Sequence, residues 1–203
     1  MSYSWIRRAL VVAALAPSAA AAQGAAADSG RPPYNAADVR FMSGMIDHHA
    51  QAILMAGWAP SHGASASVRA LCERIVVGQR DEIAFMQRWL RDRGLPVPPG
   101  DGSHDHDMPG MEHTSLMPGM LTPAELAQLD AARGPEFDRL FLTFMIQHHQ
   151  GAITMVNQLF SANGATLDDL IFKYASDVNV DQTTEINRMG RMLAAMSSGE
   201  RSP

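Results

Sequence analysis

A single cysteine, Cys72, in a chain of 203 residues excludes an intrachain disulfide. Nothing near Cys72 matches a cysteine-based metal spacing, and its reading is a small hydrophobe buried on a helix. Beyond the N-terminus, no apolar run approaches the roughly 18 to 20 residues that a membrane-spanning helix needs. No stretch alternates convincingly enough to be a strand. No nucleophile stands beside a base at a recognisable spacing, so hydrolytic catalysis has no support. Positive charge is also scarce. With the two arginines of residues 1–22 set aside, 14 basic residues face 21 acidic ones, a formal charge of −7 that argues against nucleic acid as a partner.

The first residues read as a secretory signal over 1–22: Arg7 and Arg8 form a charged start, Ala9 to Ala16 an apolar stretch, and Ala19 to Ala22 a small-residue cleavage site. The residues after Arg7-Arg8 do not strengthen a twin-arginine reading, and no cysteine follows to take a lipid. The expectation is therefore soluble export to the periplasm or beyond, with no membrane span once the signal is removed. A leader, 23–34, shows no amphipathic period and is expected to be a disordered tether.

What the chain does hold is one unit written twice. Residues 41–55, Phe-Met-Ser-Gly-Met-Ile-Asp-His-His-Ala-Gln-Ala-Ile-Leu-Met, return at 141–155 as Phe-Leu-Thr-Phe-Met-Ile-Gln-His-His-Gln-Gly-Ala-Ile-Thr-Met. On a helix turning about 100° per residue, Met42, Met45, His48, His49, Ala52 and Met55 share one face, with Ser43, Asp47 and Gln51 opposite. The face that carries the histidines is thus the face expected to be buried. Met145, His148, His149 and Met155 repeat the arrangement. A second echo, Gln79, Glu82 and Met86 against Gln182, Glu185 and Met189, extends the duplication over a helical hairpin. Glu82 and Glu185 read equally well as partners of the histidines or as a solvated face.

Helix signals divide the rest. Asn35 and Asp38 open a helix running to about Trp58, and a second starts at Ser65 or Ser67 and runs to Arg93. Thr122, Pro123 and Glu125 open a short helix ending near Arg133. A further long helix begins around Pro135 and ends before Asn163-Gly164. Thr166 with Asp169 resembles another capping box, for a helix ending near Ser197, with residues 198–203 as a tail. Together, 35–197 predict an all-α, antiparallel four-helix bundle built from two duplicated hairpins and joined by the loop 94–120.

Methionine numbers 14 against seven phenylalanines, an odd preference for core filling alone. Thioether is a soft ligand and imidazole a borderline one, a mixture that suits copper, above all Cu(I), better than ions that want oxygen. Thioether also has no proton to lose near neutral pH, so its affinity survives in an acidic or oxidising compartment. The candidate ligands are Met45, His48, His49, Met55, Met145, His148, His149 and Met155, with Met86 and Met189 on the partner helices. The loop adds His104, His106, Met108, Met111, His113, Met117 and Met120. Met-Pro-Gly-Met occurs twice in it, and Pro-Gly at the centre of a type II turn could aim two thioethers at one ion.

The pattern Met-Ile-x-His-His-x-x-Ala-Ile-x-Met at both positions, followed by Gln-x-x-Glu-Ile-x-x-Met, resembles the domain of unknown function 305 family from about Asn35 to Met196. That resemblance implies a ferritin-like bundle, an exported location and copper binding through Met45, His48, His49, Met55, Met145, His148, His149 and Met155. The copies diverge, with Phe144 for Gly44 and Gln147 for Asp47, so the two halves need not be equivalent.

The function expected is a non-enzymatic copper binder that sequesters Cu(I) or passes it on. Its partners would be copper ions and another periplasmic carrier or exporter. The alternatives are a ferritin-like di-metal oxidase and a metal-free helical interaction module. The oxidase needs a Glu from each of two helices and Glu-x-x-His from the other two, whereas no Glu precedes any His here by three.

Overall fold

Five helices follow the chain: α1 Ala36–Gly57, α2 Ala66–Arg91, α3 Pro123–Ala131, α4 Pro135–Ser161 and α5 Asp169–Ser197. The computed structural model describes residues 32–101 and 116–199. The expected signal (1–22), most of the leader, the central stretch of the inter-hairpin loop and the last four residues of the tail lie outside the described residues.

Most helix starts are where the capping residues put them. The Asn35 side chain accepts from the amides of Ala37 and Asp38 at 2.8 and 3.2 Å, while Asp38 accepts from the Asn35 amide at 2.9 Å. Thr122 and Glu125 form the same reciprocal box ahead of α3, with Pro123 in its first turn. The cap expected at Thr166 is corrected. Asp168 caps α5 instead, its carboxylate accepting from the Leu170 amide at 3.0 Å. Thr166 sits in the left-handed region at φ 61°, and its amide donates to Asp38 at 2.8 Å. Tertiary contacts decide the matter. Asp168 is fully buried and also takes the Trp89 indole N–H at 2.9 Å and the Arg93 guanidinium. Tyr34, at the end of the expected tether, packs edge-on against Trp89 at 5.4 Å, so this residue is held against α2 and is not part of a free tether.

Asp38 has a counterpart 100 residues on. Asp138, at the same place on α4, is also buried and accepts from the Ser65 amide at the start of α2. Each long helix that opens a hairpin therefore holds the entry to the second helix of the other hairpin. Asp138→Ala removes a buried carboxylate that accepts from the Ser65 amide, a hydrogen bond to a charged group, and should cost about 1.5–3 kcal/mol. The exposed cap change Thr122→Ala should cost about 1 kcal/mol. Urea unfolding should rank them in that order, and equal costs would mean that the Asp138 contact does not clamp the hairpins.

α1 pairs with α2 and α4 with α5, and the hairpins meet chiefly through α1 against α4. The apolar interior falls into two clusters at the two ends of this four-helix bundle. One gathers Phe41, Met42, Met45, Ile83, Met86, Met155, Ile171 and Val178, and the other Met55, Leu71, Ile75, Phe137, Phe141, Met145 and Met189. Between them, at mid-height, lie His48, His49, Gln79, Glu82, His148, His149, Gln182 and Glu185. A polar layer thus divides the core.

The face of α1 opposite the histidines is not open to solvent as the helical wheel suggests. Ser43 and Gln51 are each only 2% exposed. The chain after the loop returns across this face, and the Gln51 carboxamide pairs with the backbone of Leu121, accepting at 2.7 Å and donating at 3.1 Å.

Candidate metal centre

The four histidines of the repeated motif are fully buried and lie in a row across the α1–α4 interface. Ring centroids run 6.4 Å from His49 to His48, 3.8 Å from His48 to His148 and 6.3 Å from His148 to His149. The equal outer spacings show the duplication surviving as two-fold geometry. The motifs share one interior, as the repeated pattern requires.

The ring nitrogens are sorted by their partners. His49 Nε2 donates to Glu82 Oε2, and His149 Nε2 donates to Glu185 Oε2 at 2.6 Å. His48 Nε2 donates to the carbonyl of Pro118 at 3.0 Å. In each ring the proton is thereby placed on Nε2, leaving Nδ1 as a bare lone pair. The Nδ1 atoms of His48, His49, His148 and His149, and Nε2 of His148, are buried and make no hydrogen bond within the protein. A ring whose one nitrogen donates to a carboxylate or carbonyl while the other is free is arranged as metal-binding imidazoles are. Glu82 and Glu185, about a quarter exposed, are therefore partners of the histidines and not a solvated face.

Burial, reinforced by the neighbouring His49, lowers the His48 pKa to about 3. The same desolvation, with repulsion from His48, pushes His148 well below the ordinary range. Both rings are neutral at neutral pH and keep their lone pairs. Among the described residues no three His, Cys, Asp or Glu side chains are grouped to hold an ion by themselves. An ion bound in this layer without rearrangement must draw on other donors.

Thioethers stand above and below it. Met45, Met86 and Met155 fall in one apolar cluster and Met145, Met189 and Met55 in the other, the two sets being related by the repeat. All six are buried, so each also fills core. Cys72 is buried and its thiol is pushed up to about 12, first by burial and then by Asp138, which leaves it a protonated core residue as its sequence context suggests. His62 belongs elsewhere: its Nε2 donates to the Asp130 carbonyl at 2.9 Å and carboxylate at 3.0 Å while Nδ1 pairs with the Ser61 hydroxyl at 2.9 Å, tying the α1–α2 turn to α3.

Of the loop ligands, His104, His106, Met108, Met111 and His113 lie outside the described residues. The second Met-Pro-Gly-Met is described and is a turn of the expected kind, with the Met120 amide donating to the Met117 carbonyl at 3.1 Å and Gly119 at φ 76°. Its place is not the expected one. Met120 is 5% exposed, and Met117 lies against α1, its sulfur 3.1 Å from where a Cβ on Gly44 would stand. The turn is a plug over the histidine row. Met117 and Met155 together line a groove of about 220 Å³ beside it. The divergence of Gly44 from Phe144 follows, since Met117 occupies the space beside Gly44.

The model of the family described as domain of unknown function DUF305 matches residues 38–193. The chain belongs to the DUF305 family. Among solved structures, a DUF305 fragment from Deinococcus radiodurans is 29% identical with a TM-score of 0.67, covering 80% of this chain and 99% of its own. CopM in the Cu(II)-bound form is 28% identical with a TM-score of 0.60, covering 78% of this chain and 97% of its own. CopM in the Cu(I)-bound form is 26% identical with a TM-score of 0.58, covering 78% and 96%. No curated protein sequence matches significantly.

Proposed function

We propose that this DUF305 protein is an exported copper binder that sequesters Cu(I), or hands it to another periplasmic carrier or exporter, through methionine and histidine in a ferritin-like bundle. The observation that carries the reading is the row of four buried imidazoles, each with a ring nitrogen that no protein group satisfies, inside a methionine-rich core. Burying so many unpaired lone pairs is costly unless something binds them. Neutral imidazole and thioether together favour a soft monovalent ion over oxygen-seeking ones. Copper-bound CopM, similar along most of the chain, supports the choice of metal. The N-terminal signal pattern supports export, as does a Streptomyces coelicolor neighbour described as a candidate secreted protein. No residue is assigned a catalytic role, because Glu82 and Glu185 serve the histidines and the Glu-x-x-His pairs of a di-metal oxidase are missing.

Competition titration with a chromophoric Cu(I) chelator tests this. The mature protein should bind Cu(I) more tightly than Zn(II), and the double variant His48→Leu/His148→Leu should fold and lose the bundle-bound copper. Undiminished Cu(I) binding by the double variant would move the copper site out of the bundle.

A further inference from the structure

The two helices that do not carry the histidines leave a second opening. Between α2 and α5 runs a groove of about 290 Å³, lined at its centre by Gln79, Glu82, Asp181, Gln182 and Glu185. Two of these are poorly explained by folding alone. Gln79 and Gln182 are 4% and 3% exposed, yet both polar atoms of Gln79 and the carboxamide oxygen of Gln182 make no hydrogen bond within the protein. A buried carboxamide left unpaired is destabilising, and here that cost is repeated on two helices related by the duplication.

From this juxtaposition we infer a second, hard-metal site, in which a divalent cation of the Mn²⁺ or Mg²⁺ class is held in the α2–α5 groove by the carboxamide oxygens of Gln79 and Gln182 and the carboxylates of Glu82 and Glu185. All four donors are oxygen, which suits hard divalent ions and disfavours Cu(I). Each Gln precedes its Glu by three residues, so one helical turn presents carboxamide and carboxylate to the same side. Hydrogen bonds from His49 and His149 to one oxygen of each carboxylate orient the groups and leave the other oxygen free.

Charge favours a cation over an anion. Three carboxylates face the groove against two guanidiniums, Arg74 and Arg188, both of which reach solvent. This site does not depend on the copper reading, since it uses different donors and opens on a different face.

Electron paramagnetic resonance of Mn²⁺ titrated into the metal-free full-length protein tests it, because the bound ion loses the sharp six-line signal of the hydrated one. One Mn²⁺ per chain should bind, and Gln79→Leu/Gln182→Leu should weaken it at least tenfold. That variant removes unpaired buried groups, so circular dichroism should show it folded and its thermal midpoint should not fall. Asp181→Asn should weaken Mn²⁺ to a smaller extent, and Cu(I) stoichiometry should stay unchanged in both variants. Absence of saturable Mn²⁺ binding to the wild type, or equal binding by the folded double Gln variant, overturns the proposal while leaving the copper titration untouched.

Discussion

The metal-free protein should lose at least about 2 kcal/mol of folding stability between pH 7 and pH 5. His48 is lowered to about 3 and His148 lies well below its ordinary value, both chiefly through burial, whereas in the unfolded chain each titrates near pH 6.5. A group with a depressed folded pKa of this kind is neutral in the fold, so below pH 6.5 the unfolded chain binds protons that the folded one refuses. Stability therefore falls as pH falls, from about 6.5 downward; for His48 alone the loss reaches about 2 kcal/mol at pH 5, and His148 adds to it in the same direction. Against a typical total of about 5–15 kcal/mol, that is a large fraction. Two other sets of groups do not change the sign in this window. Asp181, with its raised carboxyl, works weakly the other way. Glu125 is lowered by its bonds to Thr122 and Glu136 by its bond to Arg139, so what they contribute is lost only below the ordinary Glu range. Urea denaturation at pH 7, 6 and 5 reads the effect directly, and His48→Leu/His148→Leu should flatten it. A wild-type midpoint that does not move between pH 7 and 5 would mean that the two rings are not buried neutral.

The parts legible in the sequence were those written in local or periodic code. Asn35, Ser65 and Thr122 announce helix starts because capping is a contact of two or three residues. The repeated His-His pair on an apolar face announces a shared interior because one face of a helix can only be buried against another. What escaped depends on segments far apart in the chain. The loop methionines Met117 and Met120 look exposed in a Gly- and Pro-rich stretch, and nothing local shows that the turn folds back onto α1 and α4. Asp38 and Asp138 carried a readable signal, standing three residues before Phe41 and Phe141 at the same interval as the repeat. Their job, clamping the opposite hairpin, is visible only in three dimensions. Thr166 lost its expected capping role to Asp168 for the same reason, since Asp38, Trp89 and Arg93 reach that corner from elsewhere. The carboxylates Glu82 and Glu185 could not be assigned from spacing alone, because their partners lie on other helices.

Gly151 should be the least replaceable glycine of the described bundle. It stands where the first copy has Gln51, in the middle of α4, a place where glycine costs a helix about 1 kcal/mol relative to alanine. The reason is the plug: a Cβ on Gly151 would lie 1.9 Å from the Pro118 carbonyl oxygen and 2.6 Å from the Gly119 Cα. Both are backbone, so the clash cannot be relieved by turning a side chain. Gly151→Ala should therefore lift the 117–120 turn from α4, withdrawing the Pro118 carbonyl from His48 and straining the Gln51–Leu121 pair. Overpacking of this kind costs about 1–3 kcal/mol, and each hydrogen bond lost adds about 1 kcal/mol. Gly78 on α2 and Gly190 on α5 are the controls, since a Cβ on either meets nothing within 4 Å. Alanine at those two positions should stabilise the protein by up to about 1 kcal/mol through helix propensity. Chemical denaturation should show the opposite signs, and amide exchange at Leu121 should quicken only in Gly151→Ala. A stabilising Gly151→Ala with Leu121 still protected would mean that the turn does not dock on α4, and that His48 is roofed by something other than Pro118.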